Sequence, residues 1–292
     1  REKFDIIHLS GGIWQIKGLI AAKISNKKTI WQLNDTYMPK IFHIIFKLFY
    51  PFCNAIIFSS EKSKLYYCKI CNIKKLNDVI QSGVDTEYYN PNLKFNIEDS
   101  KLKYLIKDKI VLGMVTNINP IKGVDKFIEL NIALNQSSSN YIFLVICNVP
   151  PNQINLYKNY KNIINRNNIN NFYFVNSVND IRPYLKKIDF YFCLSKHESS
   201  PVSVWEAMSM GKPVFSTDVG DVSKYIKNGF NGEIITNDIN EIRDKVLRLS
   251  KSPELKSKYI YNSRKVALKY LNINISARKV EKLYSIINGT IY

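Results

Sequence analysis

Acid is scarce in this chain. Its 292 residues hold 24 Asp and Glu against 42 Lys and Arg, a formal net charge of +18, and only three histidines. Cysteine is scarce too: Cys53, Cys68, Cys71, Cys147 and Cys193 make an odd set in mostly apolar surroundings. That is no framework for a disulfide-stapled domain. Cys68-Lys-Ile-Cys71 has CxxC spacing, but no second CxxC or His pair accompanies it. It reads as a reduced, helix-borne pair rather than a metal or redox site. No apolar run reaches the roughly 18–20 residues of a membrane span, and no secretory leader is visible. The expected compartment is therefore the cytoplasm.

What is present belongs to a globular protein. A hydrophobic content of 46% with 13% aromatics supplies ample core and excludes a disordered chain. The length is comfortable for two domains. The positive excess sits at the ends: 13 Lys and Arg against 6 Asp and Glu in residues 1–85, and 9 against 2 in 251–292. No aromatic-basic motif or helix-turn-helix pattern accompanies it, so nucleic acid is not an expected partner. Two readings stay open: an anionic membrane surface or lipid-linked substrate, and simple solubility in a lysine- and asparagine-rich chain.

Short apolar runs alternate with helical patterns throughout. Strands are predicted at 4–9, 28–33, 55–60 and 78–85, then at 109–116, 141–147, 172–175, 189–195, 214–219 and 231–235. Helical patterns separate them, which predicts an α/β protein with parallel sheets. Residues 37–52, YMPKIFHIIFKLFYPF, are apolar at helical spacing with Lys40, His43 and Lys47 interspersed. They read equally as a basic amphipathic helix on a membrane and as a helix packed on a sheet. Residues 86–108 lack apolar periodicity. The predicted division is a first domain over 1–90, a linker over 91–108, a second domain over 109–272 and a last helix over 273–292 that returns to the first domain.

The stretch 195–220, SKHESSPVSVWEAMSMGKPVFSTDVG, organises the rest. Glu198 lies in a polar loop, Ser199 and Ser200 can cap a helix, and Pro201 suits a first helical turn. VSVWEAMSM reads as helix, stopped at Gly211, with Glu206 inside it. Free amides at a helix start hold phosphate, and carboxylates accept from sugar hydroxyls. Glu198, seven residues, Glu206 and then Ala-Met-Ser-Met-Gly-Lys-Pro-Val resemble the E-x7-E signature of retaining nucleotide-sugar glycosyltransferases. Within them the match is to the family 4 type. The resemblance implies the GT-B fold, two Rossmann-like domains facing a cleft. The family's first strand and glycine-rich turn have no counterpart before Arg1, so the N-terminal domain is expected to be incomplete.

The resemblance also implies roles. Glu206 would hold the nucleotide ribose and Glu198 the hydroxyls of the transferred sugar. His197, Ser199, Ser200, Pro201 and Val202 would line the donor. Gly113-Met-Val-Thr-Asn-Ile-Asn-Pro-Ile-Lys122-Gly123 is similar to the GRxxxxKG donor-phosphate motif. Lys122 and Gly123 stand in register there, and Asn117 replaces the family's arginine. Gln81-Ser82-Gly83-Val84-Asp85, followed by Tyr89 and Pro91, is similar to the interdomain element NGVD…F.P, where Gly83 is expected to adopt an unusual backbone angle. On the acceptor side, His8 reads equally as structural or functional. Asn34 and Asp35 stand where relatives carry a His-Asp pair, and Asp35 is the titratable member. Asp221 stands where relatives often have glycine.

The implied activity is hexosyl transfer from a nucleotide-diphosphate sugar, such as a UDP-sugar, to a glycan or lipid-linked acceptor in cell-surface polysaccharide or glycolipid synthesis. No DxD-type pair is present, so metal independence and no further cofactor are expected. The alternative is a non-catalytic partner subunit that binds the nucleotide sugar.

Overall fold

The structure is a computed structural model, which describes residues 4–97, 100–135, 140–176 and 178–289. It divides into two compact units. The first comprises Arg1–Gly83, Glu198–Pro201 and Leu271–Tyr292; the second comprises Val84–His197 and Val202–Tyr270.

Four parallel strands build the first unit: β1 (Ile6–Ser10), β2 (Lys28–Leu33), β3 (Ala55–Phe58) and β4 (Leu76–Val79), side by side in that order. Each step to the next strand passes through a helix, Ile16–Ile24, Ile41–Phe49 and then Glu61–Ile70. Because the order never reverses, right-handed crossovers put all three helices on one face. The period of two along each strand then sorts the side chains. Ile7, Leu9, Trp31, Leu33, Ile56 and Phe58 pack with Phe42, Phe46 and Tyr67 from those helices. Ile6, Ile30, Ala55 and Ile57 point the other way, onto Val280, Leu283, Tyr284 and Ile287 of the helix Ile273–Asn288. Ser60 caps the Glu61–Ile70 helix by accepting from the Ser63 amide at 3.0 Å.

Two sequence readings shift here. The strand predicted to run to Asp85 ends at Val79, after which the Ile80 amide still reaches the Phe58 carbonyl at 2.9 Å. Gly83 is absent from the left-handed glycines, so no unusual backbone angle explains it. Its constraint is close approach instead: a Cβ there would lie 2.5 Å from the Cα of Ile273. A contact with a residue so far along the chain leaves no local mark in sequence.

The second unit is a six-stranded sheet of β5 (Ile110–Asn117), β6 (Tyr141–Asn148), β7 (Phe172–Asn176), β8 (Phe190–Cys193), β9 (Val214–Ser216) and β10 (Gly232–Ile234). All pairs are parallel and the order is β10-β9-β8-β5-β6-β7. β6, between β5 and β7, is buried along Tyr141–Cys147, as a strand covered on both faces must be. Phe127, Phe143, Phe172, Phe192 and Phe215 form its aromatic core with Tyr160 and Tyr259. Residues 91–108, read as linker, include a short helix, Ser100–Leu105. From the sequence, VDKFIELNIALNQ reads as a helix ending at Gln136 and a loop is expected to open at Ser177; both positions lie outside the described residues.

Candidate active site at the carboxyl edge of the second sheet

The strand order reverses direction between β8 and β5, with β6 and β7 on one side and β9 and β10 on the other. In open parallel sheets the crevice outside the strand carboxyl ends at such a reversal is where ligands bind. Two loops leave the sheet there, 118–123 after β5 and 194–201 after β8.

The first loop is a tight turn. Asn119 accepts from the Ile121 amide on its side chain at 3.1 Å and from the Lys122 amide on its carbonyl at 3.0 Å. Gly123 has φ +75°, and a Cβ on it would stand 2.2 Å from the Leu194 carbonyl oxygen. Only glycine meets both demands. The Gly123 carbonyl then accepts from Phe127 at 3.1 Å, at the first turn of the Val124–Asn135 helix. Asn117 is exposed at the end of β5, and Lys122 is half-buried on the turn.

The second loop is tied to the first. The Lys196 amide donates to the Ile121 carbonyl at 2.8 Å. From β9, Thr217 donates its hydroxyl to the Ser195 carbonyl at 2.6 Å and its amide to Cys193 at 3.0 Å. His197 is exposed at the end of this stretch. Thus Asn117, Lys122, Gly123 and His197 gather at one end of β5 and β8.

Beyond it runs the Val202–Ser209 helix, with Val202 exposed at its start and Pro201 just ahead of its first turn. The helix ends as the sequence predicts. Gly211, at φ +70°, donates to Met208 at 2.9 Å, and Lys212 donates to Ala207 at 2.9 Å, the pair of bonds that closes a left-handed helix stop. Glu206 sits half-buried on this helix and accepts the hydroxyl of Tyr89. Burial raises its pKa above the ordinary carboxylate value, and the Tyr89 bond works in the opposite direction. Tyr89 is itself fixed: its carbonyl accepts from Ser209 Oγ at 2.7 Å and from Arg264 at 2.9 Å. Tyr89 and Arg264 were not expected here. The F.P resemblance placed an aromatic ring at position 89, but the hydroxyl that meets Glu206 has no motif of its own. Asp221, also noted from sequence, is buried ahead of the short Val222–Tyr225 helix.

The remaining sequence candidates lie in the first unit. Glu198 and Ser200 are half-buried, and Pro201 is buried. Ser199 is buried, its hydroxyl 2.6 Å from that of Ser59 and 3.2 Å from that of Ser60. The sequence reads His8 as ending its strand, but β1 continues to Ser10 and His8 lies inside it. On the face shared with Ile6 and Ile30, its ring lies 2.7 Å from the Tyr284 hydroxyl and 3.0 Å from Gln32 Oε1. Burial lowers its pKa, against the pull of the Gln32 bond. Asn34 donates to Ser10 Oγ at 2.9 Å, and Asp35 accepts the Tyr67 hydroxyl. Burial raises the Asp35 pKa, with the Tyr67 bond opposing. Among the described residues no three of His, Cys, Asp and Glu converge as metal ligands.

A glycosyltransferase of Methanocaldococcus jannaschii, named as uncharacterized, is 26% identical over 118 residues, 39% of this chain and 34% of its own length. The Escherichia coli UDP-Gal:alpha-D-GlcNAc-diphosphoundecaprenol alpha-1,3-galactosyltransferase is 25% identical over 97% of this chain and 76% of its own. The chain thus spans from about a third to three quarters of these relatives' lengths. The crystal structure of Anabaena Alr3699/HepE, solved with UDP and glucose, superposes with a TM-score of 0.84 at 19% identity. It covers 97% of this chain and 78% of the Anabaena chain, and shows the same GT-B architecture of parallel α/β units. Residues 96–266 match the family described as Glycosyl transferases group 1. That stretch holds every strand of the second unit together with Lys122, Glu198 and Glu206, and the chain belongs to this family.

Proposed function

We propose that this chain is a retaining, metal-independent hexosyltransferase of the family 4 type. It moves a sugar from a UDP-sugar to a hydroxyl of a lipid-linked acceptor in polysaccharide or glycolipid synthesis at the cytoplasmic face of a membrane. The observation that carries the reading is the junction of the two loops at the strand-order reversal. There Lys122 is held by a glycine turn against the β8 loop that leads into the Val202–Ser209 helix. An ammonium beside helix-start amides suits a diphosphate and the charge that develops on its leaving oxygen.

In this scheme the bond between the sugar's anomeric carbon and the diphosphate oxygen breaks while the acceptor oxygen bonds to the same face of that carbon. The acceptor proton passes to the departing phosphate oxygen, and the nucleoside diphosphate leaves. No protein nucleophile is required. Lys122 and the amides around Val202 stabilise the leaving group, Glu206 accepts from the ribose hydroxyls, and Glu198 holds the sugar hydroxyls. His197, Ser199, Ser200 and Pro201 shape the loop, and Asn117 faces the phosphates where the family carries arginine. His8, Asn34 and Asp35 are assigned to the acceptor side. Two names support the donor and acceptor classes: the galactosyltransferase relative uses UDP-Gal and a diphosphoundecaprenol-linked sugar, and the Anabaena structure contains UDP.

A thermal-shift panel of UDP-, GDP- and ADP-sugars tests the donor. Ligand at a hundred times its Kd adds about 2.7 kcal/mol of native-state stability, so a UDP-sugar should raise Tm by several degrees and the others by less. Glu198→Gln should then lower transfer by several-fold to a few hundredfold, because it removes charge-assisted bonds to the sugar. Full transfer activity in that variant sinks the assignment.

A further inference from the structure

The first unit carries large apolar side chains that its core does not use. In the Ile41–Phe49 helix, Phe42, Ile45, Phe46 and Phe49 turn toward Trp31 and Phe58 of the sheet. Ile41, Ile44 and Leu48, spaced i, i+3 and i+7, form the opposite stripe and are 71, 64 and 63% exposed. Trp14 is 77% exposed, and its ring meets that of Phe42 edge-on at 5.2 Å, which sets it beside the stripe. Tyr37 and Phe52 are exposed just before and just after the helix. Scattered exposed leucines mean little, but a continuous stripe with two aromatic flanks marks a contact surface.

The charge around it is of one sign. Between Gly11 and Phe52 the sequence has six lysines, at 17, 23, 27, 28, 40 and 47, and one acid, Asp35. That acid lies half-buried under the Tyr67 hydroxyl and offers no negative rim. Lys47 is exposed on the helix itself, Lys40 is exposed at its N-cap, and Lys17 and Lys23 are exposed on the Ile16–Ile24 helix. Apolar side chains with indole and phenol rings at the border and lysines around them match the layers of an anionic bilayer: acyl chain, interface and phosphate. A protein partner or second copy would have to bring its own acidic collar, and in this chain acid is the scarce element.

We propose that the outer face of the Ile41–Phe49 helix, with Trp14, Tyr37 and Phe52, docks the chain on an anionic lipid bilayer. The face is remote in chemistry from the donor residues, so the proposal does not depend on which sugar is transferred. The side chains concerned are exposed, and changing them leaves the core intact.

The test is flotation of the full chain with phosphatidylcholine vesicles, with or without roughly one third phosphatidylglycerol. The wild type should float with the anionic vesicles and detach in salt on the order of 0.5 M. Ile44→Glu/Leu48→Glu and Lys40→Glu/Lys47→Glu should each weaken vesicle binding at least tenfold. Both variants should keep the wild-type Tm and its shift with UDP-sugar in vesicle-free buffer, which separates failure of docking from failure of the transferase reading. Undiminished vesicle binding by the apolar double variant overturns the proposal. So does a wild type that stays with neither vesicle, or a solution dimer that Ile44→Glu/Leu48→Glu dissolves, since a second copy then covers the stripe.

Discussion

The carboxyl edges of the two sheets are held together by different means. In the first unit, side-chain bonds add to the main-chain ones that run from Gly11 to Gln32, Ser59 to Leu33 and Ile80 to Phe58. Trp31 donates to the Gly11 carbonyl at 3.1 Å, Asn34 to Ser10 at 2.9 Å, Ser59 to Leu33 at 2.9 Å and Ser63 to Asp35 at 2.8 Å. In the second unit the main chain carries most of the load, through Lys122 to Asn119, Lys196 to Ile121 and Thr217 to Cys193, with Gly123 pressed onto Leu194. A loop tied by its backbone can change its side chains at little cost to the fold. An edge tied by its side chains cannot. Substitutions at the second edge should therefore separate activity from stability, and those at the first should not.

The largest departure is expected where the second edge depends on a missing side chain. Gly123→Ala must relieve a 2.2 Å approach to Leu194 and tolerate φ +75°. Backbone strain of about 1–3 kcal/mol and a comparable overpacking cost combine there. Donor binding should be lost altogether, with a clear fall in Tm by calorimetry. Lys122→Ala comes next and should show the opposite profile. Its turn is closed by Asn119 and Gly123, so Tm should hold within a degree or two, while transfer drops roughly a hundredfold to a thousandfold. A parallel loss of Tm and rate would mean that Lys122 supports the turn and not the chemistry.

Glu206→Gln sharpens the same contrast through pH. Burial raises the Glu206 pKa, so the folded chain holds that proton to higher pH than the unfolded chain does. Between the two values the native state binds more protons, and stability falls as pH rises. At neutral pH the ionised carboxylate thus costs stability, which glutamine avoids while still accepting from Tyr89. The variant should melt no lower than wild type at pH 7, and any advantage should vanish on acidification below the ordinary glutamate range. Donor-dependent rate should fall several-fold to a few hundredfold in the same variant. Wild-type donor affinity should weaken as pH drops through the raised pKa, because a protonated Glu206 has lost the charge that strengthens its bonds to ribose.

Much of this was legible before any coordinates. The alternation of apolar runs with helical patterns located nine of the ten described strands to within three residues at either end, because strands buried in a sheet are written in Val, Ile, Leu and Phe, whereas half-exposed β4, Leu-Asn-Asp-Val, carries no such run. Gly211 and the 202–209 helix were readable because their signals are local. What escaped the sequence was non-local. Tyr89 reaches Glu206 across more than a hundred residues, Gly83 is constrained by Ile273, and His8 faces Tyr284. The length of β1 was missed by two residues at its start and one at its end, which moved His8 from a strand end to a strand interior. Such pairings are set by topology and leave no spacing to read.

The smallest effects on transfer are expected at the first edge, where stability tests whether its side chains are the ties. Tyr67 is fully buried and donates to Asp35, whose second oxygen lies 2.0 Å from the place a Cβ on Gly12 would take. Tyr67→Phe removes the one hydroxyl known to oppose the effect of burial on Asp35, so the Asp35 pKa should rise further and the ionised form should become harder to keep. A buried acceptor stripped of its donor costs about 1–3 kcal/mol, which should appear as a lower Tm at pH 7. The deficit should shrink as pH falls, because a protonated Asp35 no longer needs the bond in its charged form. Asp35→Asn on its own should cost less than Tyr67→Phe, since the amide oxygen still accepts from Tyr67 and no charge is buried. Combining the two should cost less than the sum of the separate effects, as expected of residues in direct contact. Strict additivity in that cycle would mean that Tyr67 is held by its aromatic neighbours Phe46, Phe58 and Tyr66 alone, and that the first edge, like the second, is closed by its main chain.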